Sequence, residues 1–193
     1  MAAGPTDPLK VAGLVGALLD SLGIAYSIGG SLAGSFAGEP RATLDIDIVI
    51  DLDSARVSLL ARALEGEFYI NEDALRRAVE ERSWTNAIHE ATSIKVDFFI
   101  AGGTPLDADL LRRRIAVSVS GIDDPPVWVH SPEDILLQKL RWFERSNRTS
   151  DRQWRDVLAI VRTQGKRLDR VYLKSGAERL QVVELLQRAL SEV

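Results

Sequence analysis

The chain has 193 residues, 46% of them hydrophobic, with 24 Lys and Arg against 28 Asp and Glu for a net charge of −4. That is enough apolar material for one packed domain, or one domain with an appendage, and it excludes a fibrous or wholly disordered chain. With no cysteine and only two histidines, His89 and His130, the chain cannot form disulfides, cysteine-ligated zinc, a catalytic thiol or a three-histidine metal site.

In chain order, PLKVAGLVGALLDSL at 8–22 predicts a helix, with Leu14, Leu18 and Leu22 at the four-residue spacing of one face and Gly23 as its stop. A short strand follows at 25–29. Gly29 and Gly30 turn the chain, and Ser31 opens a helix to about Gly38. The stretch LDIDIVI at 44–50 is the clearest strand, followed by a helix at 55–64. A short strand at 67–70 and a helix at 71–80 precede two strands, 84–90 and 93–101, joined by a tight turn. A short helix at 105–112 and strands at 115–120 and 127–130 complete this part, with Pro125 and Pro126 breaking regular structure between those strands.

The remainder reads as helical. Ser131 offers an N-cap, Pro132 a first-turn proline and Asp134 an acid at the third position, for a helix to about Arg145. Ser150 caps a second helix to about Arg162. Gly176 is expected to separate a short segment at 168–174 from a last helix at 178–191, with Leu180, Val183, Leu186 and Leu190 on one side. The four tryptophans are read as packing residues, and the histidines as structural or exposed. The fold class expected is α/β (α+β): a central mixed β-sheet flanked by helices, with a helical C-terminal part. Two regions are expected, a core over 1–130 and a helical part over 131–193 packed on it.

Charge divides the chain differently. Residues 1–138 hold 21 acidic and 11 basic side chains, whereas residues 139–174 hold 4 acidic and 11 basic. An acidic region suits a metal or a solvated surface; a basic one attracts phosphate or is simply a pair of solvated helices. No apolar run reaches the roughly 18 residues of a membrane span. The opening MAAGPTDPLK lacks the basic and apolar regions of a secretion signal. A cytoplasmic protein with no membrane partner is expected.

The sharpest chemical feature lies in LDIDIVI. Side chains alternate along a strand, so Asp45 and Asp47 share one face and Leu44, Ile46, Ile48 and Ile50 the other. Neighbouring carboxylates raise each other's pKa unless a positive charge lies between them, and Mg2+ or Mn2+ with oxygen ligands supplies one. Asp97 in KVDFFI is a third acid on an apolar strand. If its strand lies beside 44–50, three carboxylates can hold two metals for in-line phosphoryl transfer, with Asp97 as proton acceptor. Alone, the D-x-D pair also fits surface decoration or the metal pair of a sugar transferase. The upstream turn narrows the choice. Gly29, Gly30 and Ser31 run from strand to helix, which lets phosphate oxygens approach the backbone and the helix N-terminus. The turn is neither a Walker loop nor a dinucleotide fingerprint.

Taken together, Gly30-Ser31, Asp45-Ile46-Asp47 and Asp97 resemble the signature of the DNA polymerase beta-like nucleotidyltransferase superfamily. The resemblance implies magnesium-dependent transfer of a nucleoside monophosphate from a nucleoside triphosphate (NTP) to an acceptor hydroxyl, releasing pyrophosphate. A finer resemblance is to the AbiEii-type branch, which includes toxins of toxin–antitoxin systems. Its lysine helix is matched by Lys139 in SPEDILLQKLRW, and its following basic run by Arg152, Arg155 and Asp156 in DRQWRDV. It implies that Lys139 contacts the triphosphate and that Asp156 orients or activates; Arg41, in the loop just before the D-x-D strand, is a weaker candidate for phosphate contact. By the residues alone, Lys139 is equally a solvated helix lysine and Asp156 a partner for Arg152. An RNA acceptor would draw on Arg148, Arg152 and Arg155.

Three functions follow as expectations. The first is a nucleotidyltransferase acting on tRNA or a protein, as a toxin with an antitoxin partner. The second modifies a small hydroxylated molecule such as an antibiotic. The third is a degenerate domain that only binds a partner or nucleotide.

Overall fold

The computed structural model describes residues 7–39, 43–104, 106–118 and 125–193. Asp7 accepts a hydrogen bond from the Leu9 N–H at 3.0 Å and caps α1, Pro8–Ser21. This helix buries Val11, Ala12, Val15, Gly16 and Leu19. The expected Leu14–Leu18–Leu22 stripe is therefore not the core face, and Leu14 is exposed. Apolar residues recur every four positions on both sides of α1, so periodicity alone leaves the face open. Tyr26 decides it by packing against Gly16, where a Cβ would stand 2.5 Å from the tyrosine oxygen. Burial there pushes the Tyr26 hydroxyl up to about 12.

The elements that follow are β1 (Tyr26–Ile28), α2 (Gly30–Ala37), β2 (Asp45–Ile50), a 3₁₀ turn at Ser54–Arg56, α3 (Val57–Leu64) and β3 (Phe68–Ile70). Then come α4 (Glu72–Glu81), β4 (Trp84–His89), β5 (Lys95–Ile100), α5 (Asp107–Arg113), β6 (Ile115–Val117) and β7 (Val127–Val129). The expected extension of β6 to 119–120 lies outside the described residues, as does Arg41.

The strands form one sheet in the order β3-β4-β5-β2-β1-β7-β6. β2–β5 and β1–β7 pair parallel and the other neighbours antiparallel, so the sheet is mixed as expected. Ile46, Ile48 and Ile50 of β2 and Val96, Phe98 and Ile100 of β5 are buried on a common face. Leu44, expected among them, is 64% exposed because the strand begins only at Asp45. On the opposite face, Leu110 of α5 packs with Val49 and Ala101 and covers the end of β2 away from its acids.

The chain divides into two compact units, Met1–Leu32 with Ala42–Val129, and Ala33–Arg41 with His130–Val193. The second holds α6 (Pro132–Arg145), α7 (Asp151–Gln164), a 3₁₀ turn at Gly165–Arg167, α8 (Arg170–Leu180) and α9 (Val183–Ser191). Ser131 and Ser150 cap α6 and α7 as their sequences predict, accepting from the Asp134 and Gln153 N–H groups. Gly176 does not end a helix. It lies inside α8, where a Cβ would stand 2.4 Å from Cδ1 of Leu137 on α6. The glycine thus permits close helix packing, and the break comes at Gln181, in the left-handed conformation at φ 59.

Two of the tryptophans also depart from expectation: Trp84 is 58% and Trp142 53% exposed. Trp154 does pack, its ring centroid 5.1 Å from that of Phe143. Among the described residues no helix is long and apolar enough to cross a membrane.

Candidate active site

The acids are gathered by the pairing of β2 with β5. These strands run side by side with Asp45 opposite Lys95 and Asp47 opposite Asp97. Residues opposite one another on neighbouring strands, about 5 Å apart, project to the same face. Asp45, Asp47, Lys95 and Asp97 therefore make a two-by-two grid of side chains, and β4 adds Asn86 opposite Asp97. The register is firmly set. A slip of one residue would send the buried isoleucines of β2 to the acid face and the acids into the core.

The glycine turn reaches the same row from the other side. The Gly29 N–H donates to the Asp47 carbonyl at 2.8 Å, so Gly29 shapes the turn while its own donor is engaged in the sheet. Gly30 has φ +60, and a Cβ there would fall 1.8 Å from Asp47 Oδ2. Only glycine satisfies both the backbone angle and the contact. Gly30 and Ser31 begin α2.

Exposure is graded across the grid: Asp45 is exposed, Asp47 half-buried and Asp97 buried. Lys95 Nζ lies 2.8 Å from Asp97 Oδ2, with side-chain exposures of 41% for the lysine and 10% for the aspartate. The hydrogen bond to Asp97 holds the Lys95 ammonium above the usual lysine range. Partial burial opposes it, and the charges of Asp97, Asp45 and Asp47 reinforce it. The second Asp97 oxygen, Oδ1, is buried and has no hydrogen-bond partner among the described residues.

Among the described residues, no three acidic or histidine side chains stand ready to hold a metal ion. The expected convergence of Asp45, Asp47 and Asp97 extends to a shared face, with one Asp97 oxygen engaged by Lys95. The residues nonetheless fit a hard divalent cation. Their donors are carboxylate oxygens, one of them buried and unpartnered among the described residues, and the Asp47 carboxylate is seated against the Gly30 backbone, where a Cβ would otherwise stand. Lys95 was not singled out from the sequence. Its signal was present: it precedes Asp97 by two residues in KVDFFI, and a strand's period puts such residues on one face.

The other residues expected at the site belong to the second unit. Lys139 on α6 bonds Asp156 on α7, Nζ to Oδ2 at 2.6 Å, with side-chain exposures of 8% and 23%. Its stem runs against Gly34, where a Cβ would meet Lys139 Cε at 3.3 Å. Lys139 is therefore not a solvated helix lysine, and the partner of Asp156 is Lys139. Arg152 and Arg155 are exposed on α7. Arg148, just after α6, donates to Glu144 at 2.8 Å and lies 3.8 Å from Glu184, so its charge is partly compensated locally.

A family model for the nucleotidyl transferase AbiEii toxin, Type IV TA system, matches residues 29–192. No curated protein matches the chain in sequence. Among solved structures, an antigenic nucleotidyltransferase-like protein from Paracoccidioides brasiliensis is similar at 18% identity and a TM-score of 0.56, covering 95% of this chain and 91% of that one. The structure of ANT(2'')-Ia in complex with adenylyl-2''-tobramycin is similar at 15% identity and a TM-score of 0.57, covering 89% of this chain and 97% of that one. At these identities the likeness is one of fold.

Proposed function

This chain belongs to the AbiEii nucleotidyl transferase family, and from that membership we propose that it transfers a nucleoside monophosphate from an NTP to an acceptor hydroxyl at the acidic face of its sheet. The observation that carries the reading is the neighbouring placement of Asp47 and Asp97, with the Gly30 backbone against the Asp47 carboxylate. Asp45, Asp47 and Asp97 are the residues that would hold Mg2+ or Mn2+, which supplies positive charge to offset that of the triphosphate.

The chain's own groups have separate tasks. The start of α2 at Gly30 and Ser31 offers backbone N–H groups to the triphosphate. Asp97 takes the proton of the acceptor hydroxyl. The acceptor oxygen then forms a bond to the α-phosphorus, the α–β phosphoanhydride bond breaks, and pyrophosphate departs with its electron pair. Lys139 and Asp156, in the second unit, are proposed as triphosphate-binding residues on the pattern of the AbiEii branch.

As acceptor we favour tRNA. The basic stretch 139–174 includes exposed Arg152 and Arg155 and the half-exposed Trp142, with the Arg145 guanidinium 5.6 Å from the indole centroid. Cations beside an aromatic face suit a phosphate backbone and its bases. In the cell the activity is that of a toxin, with an antitoxin as protein partner. Incubation with each α-labelled NTP, Mg2+ or Mn2+, and fractionated cellular RNA, protein and small molecules tests this reading. Label in the tRNA fraction is the result expected. Label confined to small molecules would shift the acceptor to an antibiotic-like compound, and no label in any fraction would leave only a binding domain.

A further inference from the structure

The two partners of the Lys95–Asp97 pair are unequally held. Asp97 is buried on β5 between Asp47 and Asn86, its neighbours across the sheet, and cannot leave the site. Lys95 is two-fifths exposed and reaches Asp97 with the end of a flexible four-carbon stem. The cation can therefore reach water without any movement of the acid. Lys95 is also the one cation of the grid, set opposite Asp45 and diagonal to Asp47. Its ammonium stands 2.8 Å from Asp97 Oδ2, so it occupies one of the two carboxylate oxygens a cation would use, while Oδ1 lies buried without a partner among the described residues.

We infer that Lys95 is a displaceable counter-ion of the carboxylate site: it holds the acids together when no metal is bound and must yield for a divalent ion to enter. The lysine thereby sets the metal concentration at which the site becomes competent. It acts through the carboxylates and so is a positioning residue. The inference rests on the metal-binding reading of the acidic face. Two like charges cannot share the position, so the ammonium swings toward solvent, the direction in which its exposed stem is free to move.

The test uses the full chain and Mn2+ alone, with bound and free ion distinguished by electron paramagnetic resonance at low ionic strength. Lys95→Met keeps the stem and removes the charge; Lys95→Arg keeps the charge. Removing one positive charge beside the ion should tighten Mn2+ binding about tenfold in Lys95→Met, while Lys95→Arg stays within about twofold of wild type. Metal-free Lys95→Met should also melt lower than wild type and gain more from Mn2+. If Asp47→Asn abolishes Mn2+ binding but Lys95→Met binds no more tightly than wild type, the site is real and the counter-ion role is wrong. If neither wild type nor Lys95→Met takes up Mn2+, the metal reading fails and this inference with it.

Discussion

The protein contains two lysine–aspartate pairs that are near opposites. In the first unit, Lys95–Asp97 buries the acid and exposes the lysine; in the second, Lys139–Asp156 buries the lysine more deeply than its acid. The bond lengths, 2.8 and 2.6 Å, do not distinguish them. Their surroundings do. Lys95–Asp97 sits among further acids with an unpartnered oxygen, whereas Lys139 is enclosed by α7 and Gly34. One pair is built to open toward a ligand. The other ties α6 to α7 through a buried lysine as long as no triphosphate draws on it.

The contrast is broken most readily by removing the more exposed partner of each pair. Asp156→Asn leaves the Lys139 ammonium buried without its carboxylate, which should cost about 3 kcal/mol of stability. Lys95→Met leaves the Asp97 carboxylate buried without its cation and should cost up to about 3 kcal/mol without metal, a loss that Mn2+ at the acids restores in this variant only. Urea unfolding of the two variants with and without Mn2+ checks this, and equal losses in both conditions would mean that the pairs are energetically alike.

Two glycines sharpen the comparison. Gly30→Ala drives a methyl into the Asp47 carboxylate and strains a backbone at φ +60, and should lower transfer about a hundredfold by displacing that carboxylate. Gly176→Ala meets the tip of Leu137, a side chain that can shift, so about 1 kcal/mol of stability is lost and activity is kept. Steady-state rates and melting curves together separate these outcomes.

The burial of His130, at the start of the second unit's helices, also predicts a pH dependence. His130 is fully enclosed, and burial lowers its pKa from 6.5 to about 3. The unfolded chain binds a proton near pH 6.5 that the folded chain refuses until near pH 3. Stability is therefore complete above about pH 7 and falls as the solution is acidified through that window. Between pH 7 and 5 the loss from this group is about 2 kcal/mol. His130→Gln should flatten that part of a stability–pH curve; an unchanged slope would assign it to other groups.

Much of the first unit was legible because strand alternation is a strict code. The acid and apolar faces of β2 and β5 follow from DIDIVI and KVDFFI alone. What the alternation leaves unsaid is which strands are neighbours, so the parallel register that sets Asp47 beside Asp97 required the fold. Lys95 was readable by the same code but is a residue type rarely sought in an acidic cluster. The helices were less transparent. In α1 two apolar stripes competed and a distant tyrosine chose between them. In α8 a glycine used for close packing looks, in sequence, like a stop. Lys139 and Asp156 are seventeen residues apart on different helices, and nothing local to either indicates that they bond.

The central claim is that the acidic face carries the reaction, and Asp97→Asn tests it most directly. The substitution keeps the shape of the side chain and removes the charge needed to accept a proton. Transfer of label from an α-labelled NTP by this variant should fall to background, while its metal-free melting temperature stays near that of wild type. Transfer at the wild-type rate by a folded Asp97→Asn protein would contradict the account.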